Sequence, residues 1–141
     1  MEMLVVLAII AVVAGISLPF AKQRGQAQKL QATSTELAAL MRSARLQALT
    51  SGHRTTLLFD EKQRLWQLSD TGNSVAIAPE FSQTILTIRD EVLTTGVGIR
   101  FLPTGGSSGG AVKLSTGNDA ISVHVSWLTG AITITNAGNA K

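Results

Sequence analysis

The sequence predicts an α+β fold: one long N-terminal α-helix, its first half apolar enough to span a membrane, packed on antiparallel β-sheets. Three observations predict it. The chain opens on an apolar run that is followed, without a break in helical character, by apolar residues at helical spacing. The remainder is a series of short β-branched segments separated by turn residues. At 141 residues there is room for one domain with a proper core and little room for two.

The opening run sets the first element. After Glu2, the residues Met3 to Ile16 carry no polar side chain, and only Ser17 and Pro19 interrupt the apolar character as far as Ala21. Nineteen residues at about 1.5 Å each span roughly 28 Å, the hydrocarbon thickness of a bilayer. A cleaved signal peptide needs a basic start and a small-residue cleavage site, and Pro19-Phe20-Ala21-Lys22 supplies neither. A helix apolar on all faces does not suit the core of so small a chain. The expectation is a membrane-spanning helix over 1–21. Lys22, Arg24 and Lys29 follow it, and taken alone the positive-inside rule would put that side in the cytoplasm. Glu2 is favoured by the helix dipole at an N-terminus. Below the headgroups it costs a few kcal/mol unless paired, and the chain offers no cation nearby, so its partner would come from another subunit.

The second half of the helix is read from Leu30, Leu37, Leu40, Met41, Ala44 and Ala48, steps of three, four and seven that mark one apolar face. Ser51-Gly52 is the stop signal. Pro19 either ends the first helix or sits within one continuous helix of about fifty residues, and the periodicity downstream favours continuation. Strands are expected at Arg54–Phe59, Arg64–Leu68, Val75–Ile77, Thr84–Ile88, Val97–Phe101, Ala111–Leu114, Ile121–Val125 and Ala131–Thr135. In Ile121–Val125 the aliphatics alternate inward, which turns His124 outward. Trp127–Gly130 reads as the turn of a final antiparallel hairpin. The resulting division is an assembly helix half at 1–21 and a globular head at 22–141, built of an amphipathic helix at 22–50 and a β-rich part at 53–136.

Catalysis finds no support in the residues. The absence of cysteine excludes disulfides and thiolate sites, and two histidines, His53 in a turn and His124 on an outer strand face, have no Ser or Asp partner in sequence. No metal or cofactor site is expected. Asp90-Glu91 reads as a solvated turn, and Trp66 and Trp127 as sheet-packing residues, with partner anchoring an alternative for Trp127. The stretch Phe101-Leu-Pro-Thr-Gly-Gly-Ser-Ser-Gly-Gly110 lacks the Gly-Lys-Ser/Thr of a phosphate loop and runs into a strand, so it reads as a flexible connection with glycines at positive φ. Residues 22–64 are basic, with Lys22, Arg24, Lys29, Arg42, Arg45, Arg54, Lys62 and Arg64 against Glu36, Asp60 and Glu61. This is a solvated helix face or a surface for nucleic acid or anionic lipid.

EMLVVLAIIAVVAGISLP resembles the N-terminal segment of type IV pilins and type II secretion pseudopilins. That family begins, after cleavage by a prepilin peptidase, with Phe-Thr-Leu-x-Glu and an apolar run ending near a proline. Glu2 matches the family glutamate and Pro19 the proline. The resemblance implies that Glu2 pairs with the methylated N-terminal amine of a neighbouring subunit, and that the helix, Leu4, Val5, Leu7 and Ile9 included, packs among other subunits. The family's Gly-Phe-Thr-Leu site and basic leader are missing ahead of Met1, so Met1 is expected to be an internal methionine of a longer precursor. The leader would keep the N-terminus cytoplasmic.

Further on, Phe101-x-Pro103-x-Gly105, then Gly109-Gly110 and a strand, then Leu128-Thr129-Gly130, resemble the C-terminal domain of GspH/FimT minor pseudopilins. The two segments together span essentially the whole chain. They imply a structural subunit of the type II secretion system that contributes to the initiation or tip of the pseudopilus. The implied partners are other minor and major pseudopilins, the inner-membrane assembly platform and the peptidase. The implied location is single-pass in the inner membrane with a periplasmic head. The alternative is a FimT-like minor pilin that binds DNA in natural transformation through a Gly-Arg-x-Arg-like element. Leu128–Ile134 contains no arginine and only Lys141 follows, which weighs against nucleic acid as a partner.

Overall fold

The computed structural model describes the backbone of residues 2–87, 92–93 and 96–138, and their side chains apart from 16–23 and 92–93. Helix α1 (Glu2–Ser51) is continuous through Pro19. At its C-terminus Gly52 takes φ 70° and its N–H bonds the Ala48 carbonyl at 3.2 Å. This is the left-handed stop for which glycine carries no Cβ penalty.

Nine strands follow among the described residues. They are β1 (Thr55–Asp60), β2 (Leu65–Leu68), β3 (Ser74–Ala76), β4 (Ser82–Leu86), β5 (Val92–Leu93), β6 (Gly96–Phe101), β7 (Gly110–Thr116), β8 (Asp119–Val125) and β9 (Ile132–Asn136). They form two antiparallel sheets, ordered β3-β2-β1-β6-β5 and β4-β7-β8-β9. The second half of α1 touches strands of both. The six apolar positions expected on its inner face are all buried, with Ala38 beside them. Ser34, also buried, returns its hydroxyl to the Leu30 carbonyl at 2.8 Å, so the apolar face closes over a satisfied polar group.

Trp66 is fully buried and packs against Phe59 with ring centroids 5.2 Å apart. The alternation of β8 is as expected: Ile121, Val123 and Val125 are buried and His124 is exposed. The last hairpin pairs Val125 with Ile132. The eight expected strands are all present, with bounds within two residues of those expected, β4 being shifted two residues toward the N-terminus; β5 was not expected from the sequence. Asp90, Glu91 and Lys141 lie outside the described residues.

The chain crosses from the first sheet to the second between β3 and β4, and Arg64 holds this crossing. Its Nη2 donates to the carbonyls of Phe81 at 2.6 Å and Ala78 at 3.4 Å, and its Nε to that of Ile77 at 3.3 Å. Arg64 itself sits at φ 51°, an uncommon backbone for a non-glycine residue. Bonds from a charged donor contribute about 1.5–3 kcal/mol. Arg64→Ala is therefore expected to lower the urea-unfolding free energy by about 2 kcal/mol and to speed amide exchange at Ile77 and Phe81. Unchanged exchange at both would show that the crossing holds without the guanidinium.

Candidate assembly surface

Glu2 lies in the first turn of α1, where the helix dipole favours its charge. The nearest cationic side chain in sequence is Lys22, twenty positions and about 30 Å along the helix. Leu4, Val5, Leu7 and Ile9 are 69%, 59%, 63% and 59% exposed, and Met3, Val6, Ile10 and Val12 are exposed with them. Apolar side chains therefore face outward all round this part of the helix. Covering each of them would contribute about 1.5–3 kcal/mol. Among the described residues no helix is long and apolar enough to cross a membrane. Within the Met3–Ala21 run the side chains are described as far as Gly15, so that of Pro19 lies outside the described part.

The other end of α1 meets the glycine-rich segment, and here the structure corrects the sequence reading. Residues 102–109 are not a free connection. The Ser107 N–H donates to the Trp127 carbonyl at 2.9 Å, and its hydroxyl donates to the Ser126 carbonyl at 2.9 Å and accepts from the Gly109 N–H at 3.0 Å. Ser108 is tied to the Arg100 backbone through both its N–H and its hydroxyl. The glycines permit this close approach. A Cβ on Gly109 would stand 2.9 Å from Trp127 Cβ, and one on Gly130 would overlap the Gly105 carbonyl oxygen while lying 3.1 Å from Arg45 Nε. Gly110 opens a strand rather than a helix, as expected for a segment that is not a phosphate loop.

The second correction concerns Trp127. It is not a packing residue of the sheets. It is 61% exposed, and its neighbour Leu128 is 66% exposed. The turn that carries them is closed by Gly130 N–H to the Ser126 carbonyl at 2.8 Å and Ser126 N–H to the Ala131 carbonyl at 2.9 Å. The sequence reading held an outward role for Trp127 only as its alternative and did not single out Leu128. The only signal was an apolar pair placed inside a turn, where side chains have no sheet to face. His53 places Nδ1 2.8 Å from the Ser51 carbonyl oxygen and so dresses the end of α1. His124 stands apart on β8. No group of acidic residues and histidines that could hold a metal occurs among the described residues.

Comparison with known proteins gives the context. The family described as type II transport protein GspH matches residues 33–130. Type II secretion system protein H of Xanthomonas campestris pv. campestris is 30% identical over 143 residues, which cover 94% of this chain and 78% of that protein. The minor pseudopilin EpsH of the Vibrio cholerae type 2 secretion system superposes with a TM-score of 0.61 at 10% identity, covering 78% of this chain and 98% of that one. The type IV minor pilin FimU of Pseudomonas aeruginosa superposes with a TM-score of 0.60 at 12% identity, covering 81% and 93%. At such identities the two structures speak for a pilin-like fold and do not choose between secretion and pilus systems. The sequence matches make that choice. The chain belongs to the GspH family and is a minor pseudopilin of the type II secretion system.

Proposed function

We propose that this pseudopilin is held in the inner membrane as a single-pass protein by residues 1–21, with residues 22–141 forming a periplasmic head, and that it joins the pseudopilus through the first half of α1. The observation that carries this reading is one unbroken helix with two different surfaces. From Leu30 to Ala48 its apolar face is buried in the head, whereas from Met3 to Val12 its large apolar side chains are exposed. A single rigid rod thereby links a folded domain to a surface that only lipid or neighbouring helices can cover. Leu4, Val5, Leu7 and Ile9 supply packing area, Glu2 sets the register by pairing with a neighbour's terminal amine, and Pro19 lies within the packed length. The partners are the other minor and major pseudopilins and the inner-membrane assembly platform, and the precursor is the substrate of a prepilin peptidase. The role is initiation or capping of the short pseudopilus.

The test separates anchoring from assembly. Glu2→Leu adds apolar surface and keeps the helix, so the protein should remain in the membrane fraction. Loss of the ion pair should lower copurification with other pseudopilins by roughly tenfold or more, since each 1.4 kcal/mol of association energy is a factor of ten. Copurification at the unsubstituted level would overturn the role of Glu2. A soluble protein would overturn the anchor.

A further inference from the structure

The last strand leaves one edge of a sheet open. In the order β4-β7-β8-β9, β9 is outermost, and among the described residues it pairs with β8 alone. Two bonds just beyond its ends fix which of its backbone groups face β8. The Ala137 N–H donates to the Ala120 carbonyl at 2.7 Å, and the Ser126 N–H to the Ala131 carbonyl at 2.9 Å. Hydrogen-bonded pairs in an antiparallel ladder recur at every second residue. Residues 131, 133, 135 and 137 therefore bond β8, and the N–H and C=O groups of Ile132, Ile134 and Asn136 point to the free edge. None of these meets another backbone group among the described residues. They form a row with a repeat of about 6.8 Å, which a second extended backbone matches group for group.

Edge strands are ordinarily blunted by charge, proline, bulges or shortness. Two other edges follow that rule. β3 is three residues long, and β4 begins beside the Arg64 guanidinium, which is bonded to the Phe81 carbonyl. β9 does not follow it. Residues 131–138 contain no charged residue and no proline. Thr133 and Thr135 are exposed on the outer face, and Ile132 and Ile134 are only partly buried on the inner one. The outward residues of β7 and β8 beside them, Lys113, Ser122 and His124 included, carry no carboxylate.

What can cover this edge is limited by α1. The helix runs along β9 in the opposite sense, since Ala27, Leu30 and Gln31 line one cleft with Asn136 and Gly138, and Arg45 lies against Gly130. An antiparallel β9–β9 pair between two copies has its two-fold axis perpendicular to the sheet, which sets the two helices in opposite directions. Two copies anchored in one membrane cannot adopt it. Pairing of β9 with β4 of a second copy keeps the helices parallel but separates them by four strand spacings, about 19 Å. Packed helices lie about 8–10 Å apart. Both exclusions rest on the anchor and the helix assembly proposed above.

We propose that the β9 edge receives an extended segment of an exported polypeptide, which adds a fifth strand to this sheet. An exported chain is not held in the inner membrane, so neither its strand direction nor its lateral position is fixed in advance. The matching segment carries β-branched or apolar side chains against Ile132 and Ile134, and neutral or acidic ones beside Thr133, Thr135 and Lys113.

A photo-activatable benzophenone amino acid in place of Thr133 tests this in the full chain, expressed with the other secretion components and one exported protein. On irradiation, the expected adduct is with that exported protein. Asn136→Pro removes an outward N–H and leaves the bonds to β8 in place, as edge strands tolerate. It should lower the adduct yield by roughly tenfold, through a lost hydrogen bond and the clash of the ring with an incoming strand. Ile134→Pro should do the same from the centre of the edge. If it lowers the amount of folded head, Asn136→Pro, at an exposed position, decides. No adduct, or adducts only with another pseudopilin or a second copy of this chain, would overturn the proposal. So would an adduct with the exported protein that the proline variants leave unchanged, because the contact would then not be strand addition. The same probe at Leu4 keeps the two readings distinguishable. Crosslinking to other pseudopilins at Leu4 with no adduct at Thr133 removes the added strand and leaves helix assembly standing. Failure at both positions removes the assembly reading as well.

Discussion

Gly130→Ala is expected to lower the stability of the head by about 3 kcal/mol. Two costs combine. Gly130 has φ 64°, in the left-handed region, where an L residue costs roughly 1–2 kcal/mol. Its Cβ would also overlap the Gly105 carbonyl oxygen, with Arg45 Nε and Cδ at 3.1 and 3.3 Å leaving no room to move aside. Overpacking of this kind costs about 1–3 kcal/mol. The melting temperature of the detergent-solubilised chain, followed by tryptophan fluorescence, should fall by roughly 10 °C for a domain of this size. Gly72→Ala is the control. Gly72 has nearly the same φ, 71°, but nothing lies within 4 Å of its Cβ position, so it carries the conformational cost alone. Its midpoint should fall by less than half as much. Equal effects would mean that the contact between the two loops contributes nothing to stability. A second consequence is specific to the site. Because Gly130 closes the turn that carries Trp127, its alanine variant should redden or blue-shift the emission of the exposed indole before unfolding, and Gly72→Ala should not.

Leu37→Ala is expected to cost about 3 kcal/mol, within the 2–5 kcal/mol found for buried leucines, and Leu46→Ala less than about 0.5 kcal/mol, as for exposed positions. Both residues lie on the head half of α1, nine positions apart. Leu37 is fully buried in the core between helix and sheets, whereas Leu46 is 61% exposed. Removing Leu37 leaves a cavity where helix and sheets meet, and the helix cannot collapse into it without moving Ala38 and Met41, which are also buried. Urea denaturation of the two variants checks the contrast. Similar losses would show that the helix packs on a different face.

The contrast between these residues also separates local from tertiary information. The buried face of α1 was legible because helical geometry is local. Residues three, four and seven apart share a face whatever they pack against, and Leu30, Leu37, Leu40, Met41, Ala44 and Ala48 are buried accordingly. The same holds for period two in β8, which turned His124 outward. Gly52 marked the helix end because only the left-handed region closes it there. Family resemblance added what no periodicity contains, namely that the apolar start belongs to an assembling subunit, and the sequence matches place the chain in that family.

Strand order and the burial of single residues in turns were not legible, because both depend on segments distant in sequence. Trp66 and Trp127 look alike in sequence, yet one is sealed between helix and sheet and the other stands in solvent. The difference is made by Ser107, which holds the backbone at 126–127 and leaves the indole no sheet to cover. The glycines at 105, 109 and 130 likewise look like flexibility when read alone. Only the meeting of two loops about twenty residues apart shows that they are there for close approach. The sequence by itself determined the helix, its two surfaces and the antiparallel β character, because each follows from a repeat within a few residues. The tertiary structure alone decided the division into two sheets, the stitched glycine segment and the exposed Trp127–Leu128 turn, because each depends on which distant backbones come within hydrogen-bonding reach.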